Sequence, residues 1–142
     1  MPQMSDDEAR AFLLHGTRTG KLATTRADGR PHVAPIWFDL DDDGWIVFTT
    51  HNSSVKGKSL LRDPRVALTV DDQEPPYSFV VVEGIAEVSE DPAGLLGWVT
   101  RIGARYMGEE RAAEYGKRNG VQGELLVRIK PTKTIGVAAV SS

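Results

Sequence analysis

Residues 21–50, KLATTRADGRPHVAPIWFDLDDDGWIVFTT, decide the fold. Three extended runs, KLATTR, HVAPIWFDL and WIVFTT, are separated by ADGRP and DDDG. Glycine-bearing turns between extended runs join consecutive antiparallel strands. In the second run Ala34, Ile36, Phe38 and Leu40 share one face, and Val33, Pro35 and Trp37 share the other. Both faces are apolar, and a strand apolar on both faces is covered on both. One face turns to a barrel interior. The other needs a cover: the helix expected over residues 92–106, a second subunit, or a flat ligand.

Outward from this stretch, Ser5-Asp6-Asp7-Glu8 is a capping box ahead of an apolar stripe at Ala9, Phe12 and Leu13, which predicts a short first helix. After WIVFTT a helix is expected from about Ser54 to Arg62, ended by Asp63-Pro64 because the residue before a proline is pushed out of helical geometry. RVALTVD reads as a fourth strand and YSFVVVEGIAEVSE as a fifth, with Gly84 suited to a bulge or bend. Asp91-Pro92 caps a helix carrying Leu95, Trp98, Val99, Ile102 and Tyr106 at helical spacing, with a second helical piece to about Tyr115. GELLVRIKPTKTIGVAAV is a sixth strand, in which Pro131 marks a break or an edge position. Six strands in hairpin order with few helices predict a small antiparallel barrel, mainly β with flanking helices, as one domain over 1–142.

Composition narrows the function classes. The 142 residues are 40% hydrophobic and 26% charged with net charge −3, so no global field attracts nucleic acid or an anionic membrane. Cysteine is absent, which removes disulfides, thiolate nucleophiles and zinc clusters. The opening MPQMSDDEAR has no basic-then-apolar signal pattern, and no apolar run reaches the ~18–20 residues that span a bilayer. A cytoplasmic protein without membrane or nucleic-acid partners is expected.

Residues 51–65, HNSSVKGKSLLRDPR, contain Gly57-Lys58-Ser59, the tail of a triphosphate-binding loop. That motif needs its first glycine five positions earlier, where Asn52 stands, and a parallel sheet that hairpins cannot supply. What survives is a simpler anion site: a helix start at Ser53 or Ser54 with free N–H groups, plus Lys56, Lys58, Ser59, Arg62 and Arg65. A solvated basic helix face explains the same spacing. His15, His32 and His51 fall in separate segments and suit no helical metal pair, so no metal site is assigned. Asp41-Asp42-Asp43 reads as turn chemistry, and Ser53 and Ser54 lack a nucleophile elbow. With no acid–base or nucleophilic constellation, no catalytic residue is named, and a cofactor is expected to supply any chemistry.

The segments GKLATTRADGRPHVAPIWF, WIVFTTHNSSVKGKSLLRDPRVALTV and YSFVVVEGIAEV, in this order, resemble the split β-barrel flavin and deazaflavin oxidoreductases, the pyridoxamine-phosphate-oxidase-like superfamily. The likeness spans about residues 5–140 and is nearest to the short actinobacterial branch that uses coenzyme F420. It implies a homodimer with a planar ring against strands two and three and a phosphate on the loop after strand three. By position the ring would meet His32, Val33, Ala34, Pro35, Ile36 and Trp37, with Thr49 and Thr50. The phosphate would meet Ser54, Lys56, Lys58 and Ser59, and Tyr77, Ser78 and Phe79 would approach from the partner subunit. The C-terminal TKTIGVAAVSS lacks the tryptophan- and arginine-rich motif of the pyridoxamine phosphate oxidases themselves, and Ser59 stands where relatives often carry Asn. The implied activity is F420-dependent hydride transfer to an unsaturated small-molecule substrate. FMN is the alternative cofactor, and a binding protein without turnover is the alternative class. Substrate-pocket residues are expected from segment 92–116 and the partner chain.

Overall fold

The run HVAPIWFDL is two strands, not one. The computed structural model describes residues 2–141, and in it β2 (Pro31–Ile36) stops before Trp37 while β3 (Asp39–Leu40) starts after Phe38. With β1 (Gly20–Thr25), β4 (Ile46–His51), β5 (Arg65–Asp71), β6 (Phe79–Ser89) and β7 (Glu124–Val137) this makes seven strands where six were expected. Their order is β2-β1-β5-β6-β7-β4-β3, antiparallel throughout. Edge strands β2 and β3 are joined by two residues only, so the sheet has to curl until its edges meet. The extra strand and the barrel closure are one event.

Two residues crossing between sheet edges leave backbone groups with no ladder partner, and buried backbone polar groups must be paired. The long helix α3 (Pro92–Met107) supplies the partners. Phe38 N–H donates to the Tyr106 hydroxyl at 3.3 Å, and Arg105 Nη1 donates to the Phe38 carbonyl at 2.6 Å. Arg101 Nε donates to Asp39 Oδ2 at 3.1 Å. The Tyr106 ring lies flat on Trp37, with centroids 5.1 Å apart and planes 2° from parallel.

Inside the curl, Leu22, Phe38, Phe48, Leu68, Val80 and Val127 form the centre of the main core. A smaller core of Val47, Leu95, Val99 and Leu126 joins the outer face of β4 and β7 to α3. Helix α3 therefore covers Val47 and Trp37 but leaves Val33 66% exposed and Pro35 exposed. Of the three covers weighed for the outer face, the helix accounts for one end only.

The helices start where expected. Ser5 and Glu8 close a reciprocal capping box on α1 (Asp6–Leu14), and Asp91 caps α3 with Pro92 in its first turn. Helix α2 (Val55–Arg62) is capped by Ser54 and ends at Asp63. Helix α4 (Ala112–Asn119), preceded by a 3-10 turn at Glu109–Arg111, runs four residues past the expected end at Tyr115. It continues because Gly116 is a packing position: a Cβ there would stand 2.4 Å from Thr100 Oγ1. The register of β6 on β7 shifts at Glu83/Gly84, so that Thr132 is the extra residue. Pro131 lies beyond the last β4 pairing of β7, Ile46 with Ile129, where one side of β7 is open to an edge position.

Candidate functional site

The end of β4 and the start of α2 meet in an unusually close joint. Thr50 Oγ1 and Ser54 Oγ lie 2.8 Å apart, Ser54 Oγ donates to the His51 carbonyl at 2.8 Å, and it accepts from Gly57 N–H at 3.0 Å. A Cβ at Gly57 would sit 2.2 Å from the His51 carbonyl oxygen. Gly57 is thus required by helix-on-strand contact, not by a phosphate-wrapping loop. The Ser54 cap takes the third N–H of α2 and leaves Val55 and Lys56 N–H at the positive end of the helix dipole.

Beside this joint is a cavity of about 290 Å³. Its walls are Pro35, Ile36 and Trp37 at the end of β2, Thr49 of β4 and Lys56 of α2. Val99, Ile102 and Gly103 of α3, Asn119 of α4 and Glu124 of β7 complete it. One cation, one carboxyl, a hydroxyl and an amide are set in otherwise apolar walls. Trp37 is fixed there between Tyr106 and Tyr115, the latter 5.6 Å away and tilted by 56°. Burial pushes the Tyr106 hydroxyl above its ordinary pKa, so it stays a neutral hydrogen-bonding group between Phe38 N–H and the Arg18 carbonyl.

Strand and helix periodicity sort the expected site residues. Pro35, Ile36, Trp37, Thr49 and Lys56 come together in the cavity wall. His32, Ala34 and Ile36 pair with Thr24, Leu22 and Gly20, whose side chains or faces point into the barrel, while Val33 points outward. Thr50 is buried on the inner side of β4 and supports the Ser54 cap. Lys58 is exposed, two positions round the helix from Lys56, and Ser59 is only 2% exposed beneath α2. Tyr77, Ser78 and Phe79 lie elsewhere. Tyr77, at φ 61°, and Phe79 border an open depression with Lys21, Thr69 and Asp71 on the outer face of β1, β5 and β6, while Ser78 Oγ accepts from Ala139 N–H. That depression and the cavity adjoin, because Lys21 and Pro35 are direct cross-strand partners.

Asn119 and Glu124 escaped the sequence reading, which looked for pocket residues in segment 92–116. Val99, Ile102 and Gly103 do come from that segment. Glu124 is the cross-strand partner of His51, a pairing that requires knowing β4 and β7 to be neighbours. Burial raises its pKa, against the pull of a Thr49 hydrogen bond and of the His51 and Lys56 charges. The His51 ring is itself held: Nδ1 accepts from Ser53 N–H at 3.1 Å and lies 2.7 Å from Ser53 Oγ.

The residues present suit a phosphate-bearing planar cofactor. Lys56, Thr49, Asn119 and the first N–H groups of α2 form a donor set for an anion, and Val33, Pro35 and Trp37 form a flat apolar strip beside it. Solved structures share the fold. The conserved hypothetical protein Rv2991 from Mycobacterium tuberculosis is 32% identical with a TM-score of 0.80, covering 92% of this chain and 82% of its own. A structure described as an F420 reductase is 26% identical with a TM-score of 0.68, over 94% of this chain and 98% of that one. HutZ, the heme storage protein from Vibrio cholerae, shares the fold at 20% identity and a TM-score of 0.71, over 92% of each chain. Among the described residues no helix is long and apolar enough to cross a membrane. The family profile described as pyridoxamine 5'-phosphate oxidase matches residues 5–138, and the chain belongs to that family.

Proposed function

We propose that this protein is a cytoplasmic, homodimeric oxidoreductase that binds coenzyme F420 and reduces an unsaturated small molecule. The observation that carries the reading is the meeting, in one cavity, of the apolar end of β2 with the lysine of α2. The likeness to the F420 reductase supports the choice of cofactor. When bound, the deazaflavin supplies the hydride. Lys56 and the Val55 and Lys56 N–H groups hold its phosphate, with Thr49 and Asn119 as further donors. Pro35 and Trp37 give the ring an apolar surface, and α3 with α4 wall the cavity on its other side. Lys58 adds long-range charge from the helix surface, and Ser54 acts through the cap it makes.

A second copy of the chain completes the site in this reading. The outer face of β2 keeps Val33 exposed at 66%, and nearby Leu61 is 58% and Tyr77 46% exposed. A second subunit covering this face brings its own Tyr77, Ser78 and Phe79 to the cofactor, which accounts for their place outside the cavity within one chain. Fluorescence titration with F420 and with FMN in parallel tests the cofactor choice. Tighter binding of F420 is expected, and a preference for FMN overturns the deazaflavin reading in favour of an FMN-dependent enzyme. Tight binding with no reduction of any acceptor by reduced cofactor makes the protein a carrier instead.

A further inference from the structure

Glu124 is an odd neighbour for an anion anchor. It lines the same cavity as Lys56, and among the described residues it is the only acidic side chain that does so. The groups facing it are few. His51 lies opposite on β4, Thr49 neighbours it from the same strand, and Lys56 faces it from α2. The cavity walls from α3 and α4 are Val99, Ile102, Gly103 and Asn119, none of them charged. On its other side Glu124 borders a second depression, of about 470 Å³, where the exposed Glu90 is the further charged group.

We propose that Glu124 sets the affinity and selectivity of this cavity for anions, so that a dianionic group settles beside Lys56 only when Glu124 carries a proton. A charged Glu124 neutralises Lys56 and repels a second negative group across a half-buried, poorly screened space. A protonated Glu124 becomes a hydrogen-bond donor to the same ligand. Burial already favours the protonated form, as the raised pKa of this group indicates. Anion binding therefore takes up one proton and weakens as pH rises above the pKa of Glu124, while monoanions and neutral groups are discriminated less. His51 is the other titratable side chain beside Glu124, so the two are separated by substitution.

The inference rests on the reading of Lys56 as an anion anchor, and sulfate probes it without any cofactor. Sulfate stays a dianion across about pH 5–8, the window in which histidine and raised carboxyls titrate. Its binding is followed by the amide shifts of Val55, Lys56 and Gly57 in isotope-labelled protein. For the wild type, the sulfate dissociation constant should rise by roughly tenfold per pH unit once Glu124 ionises. Glu124→Gln should flatten that dependence and bind sulfate about tenfold tighter near neutral pH. A slope that persists in Glu124→Gln, or that disappears in His51→Gln, overturns the proposal, as does equal affinity of Glu124→Gln and wild type. Lys56→Ala keeps the two ideas apart. Loss of the sulfate-induced shifts in that variant upholds the anchor, and their persistence at wild-type strength removes the anchor and this inference with it.

Discussion

Replacing Tyr106 with phenylalanine removes one oxygen atom and tests how the barrel is closed. The ring that stacks on Trp37 is retained, so only the hydroxyl and its two partners are perturbed. The bond donated to the Arg18 carbonyl is short, 2.9 Å, and contributes about 1 kcal/mol net. The bond accepted from Phe38 N–H is long, 3.3 Å, but its loss leaves an N–H unpaired at the crossing between β2 and β3, which costs about a further 1 kcal/mol. Together Tyr106→Phe should lower stability by roughly 2 kcal/mol. In urea unfolding this moves the midpoint down by about 1 M if the slope is near 2 kcal/mol per M, with the slope unchanged. Tyr106→Leu, which also loses the stack, should cost about 0.5–1.5 kcal/mol more. If Tyr106→Phe unfolds within about 0.5 kcal/mol of wild type, the hydroxyl does not hold the crossing. Closure would then belong to Arg105 and the two-residue connection alone.

Lys56→Ala should weaken cofactor binding by about 1.5–3 kcal/mol in a fluorescence titration, as for a charged hydrogen bond, while Lys58→Ala should change it by less than about 1 kcal/mol because that side chain is exposed on another face. Gly57→Ala forces a methyl against the His51 carbonyl and should cost about 1–3 kcal/mol of stability by denaturant unfolding. Asp63 is held at a pKa of about 2, first by the Arg65 side chain and then by its backbone N–H. A carboxyl depressed in the folded state stabilises above its unfolded pKa of about 3.9, and that stability is lost as pH falls through about 2. Asp63→Asn should therefore flatten the stability profile in that acid window and leave the profile above about pH 5 unaltered in shape. Val33→Glu places a charge on the exposed outer face of β2 and should shift the chain from dimer to monomer by light scattering; an unchanged mass would place the subunit interface elsewhere.

Local chemistry was legible in the residues alone. The Ser5–Glu8 capping box, the Asp91-Pro92 start, the stop at Asp63-Pro64 and the two glycine turns depend on neighbours a few positions away, and each stands where it was read. The bend at Gly84 is similar, because a small residue in a long strand has few other uses. The failure of the triphosphate loop was also visible, in Asn52 and in the hairpin order. Alternation in β2 and β4 was readable too, yet whole runs were assigned to the ring. The pleat lets only every second residue of a strand reach one side, so His32 and Thr50 turn inward, and the turn of helix α2 puts Lys58 and Ser59 away from the cavity that Lys56 lines.

The break at Trp37-Phe38 was not readable, because the run is uniformly apolar and extended. What interrupts it is the meeting of two sheet edges, stabilised by Tyr106 and Arg105 from nearly seventy residues away along the chain. Glu124 eluded the sequence for the same reason: its meaning comes from strand β4 and helix α2, which it reaches only after the sheet has curled. By itself the sequence determined most of the elements, their caps and a basic helix start. The tertiary structure decided which of those residues share a cavity, because pairing between distant strands, and not spacing along the chain, sets what a side chain faces.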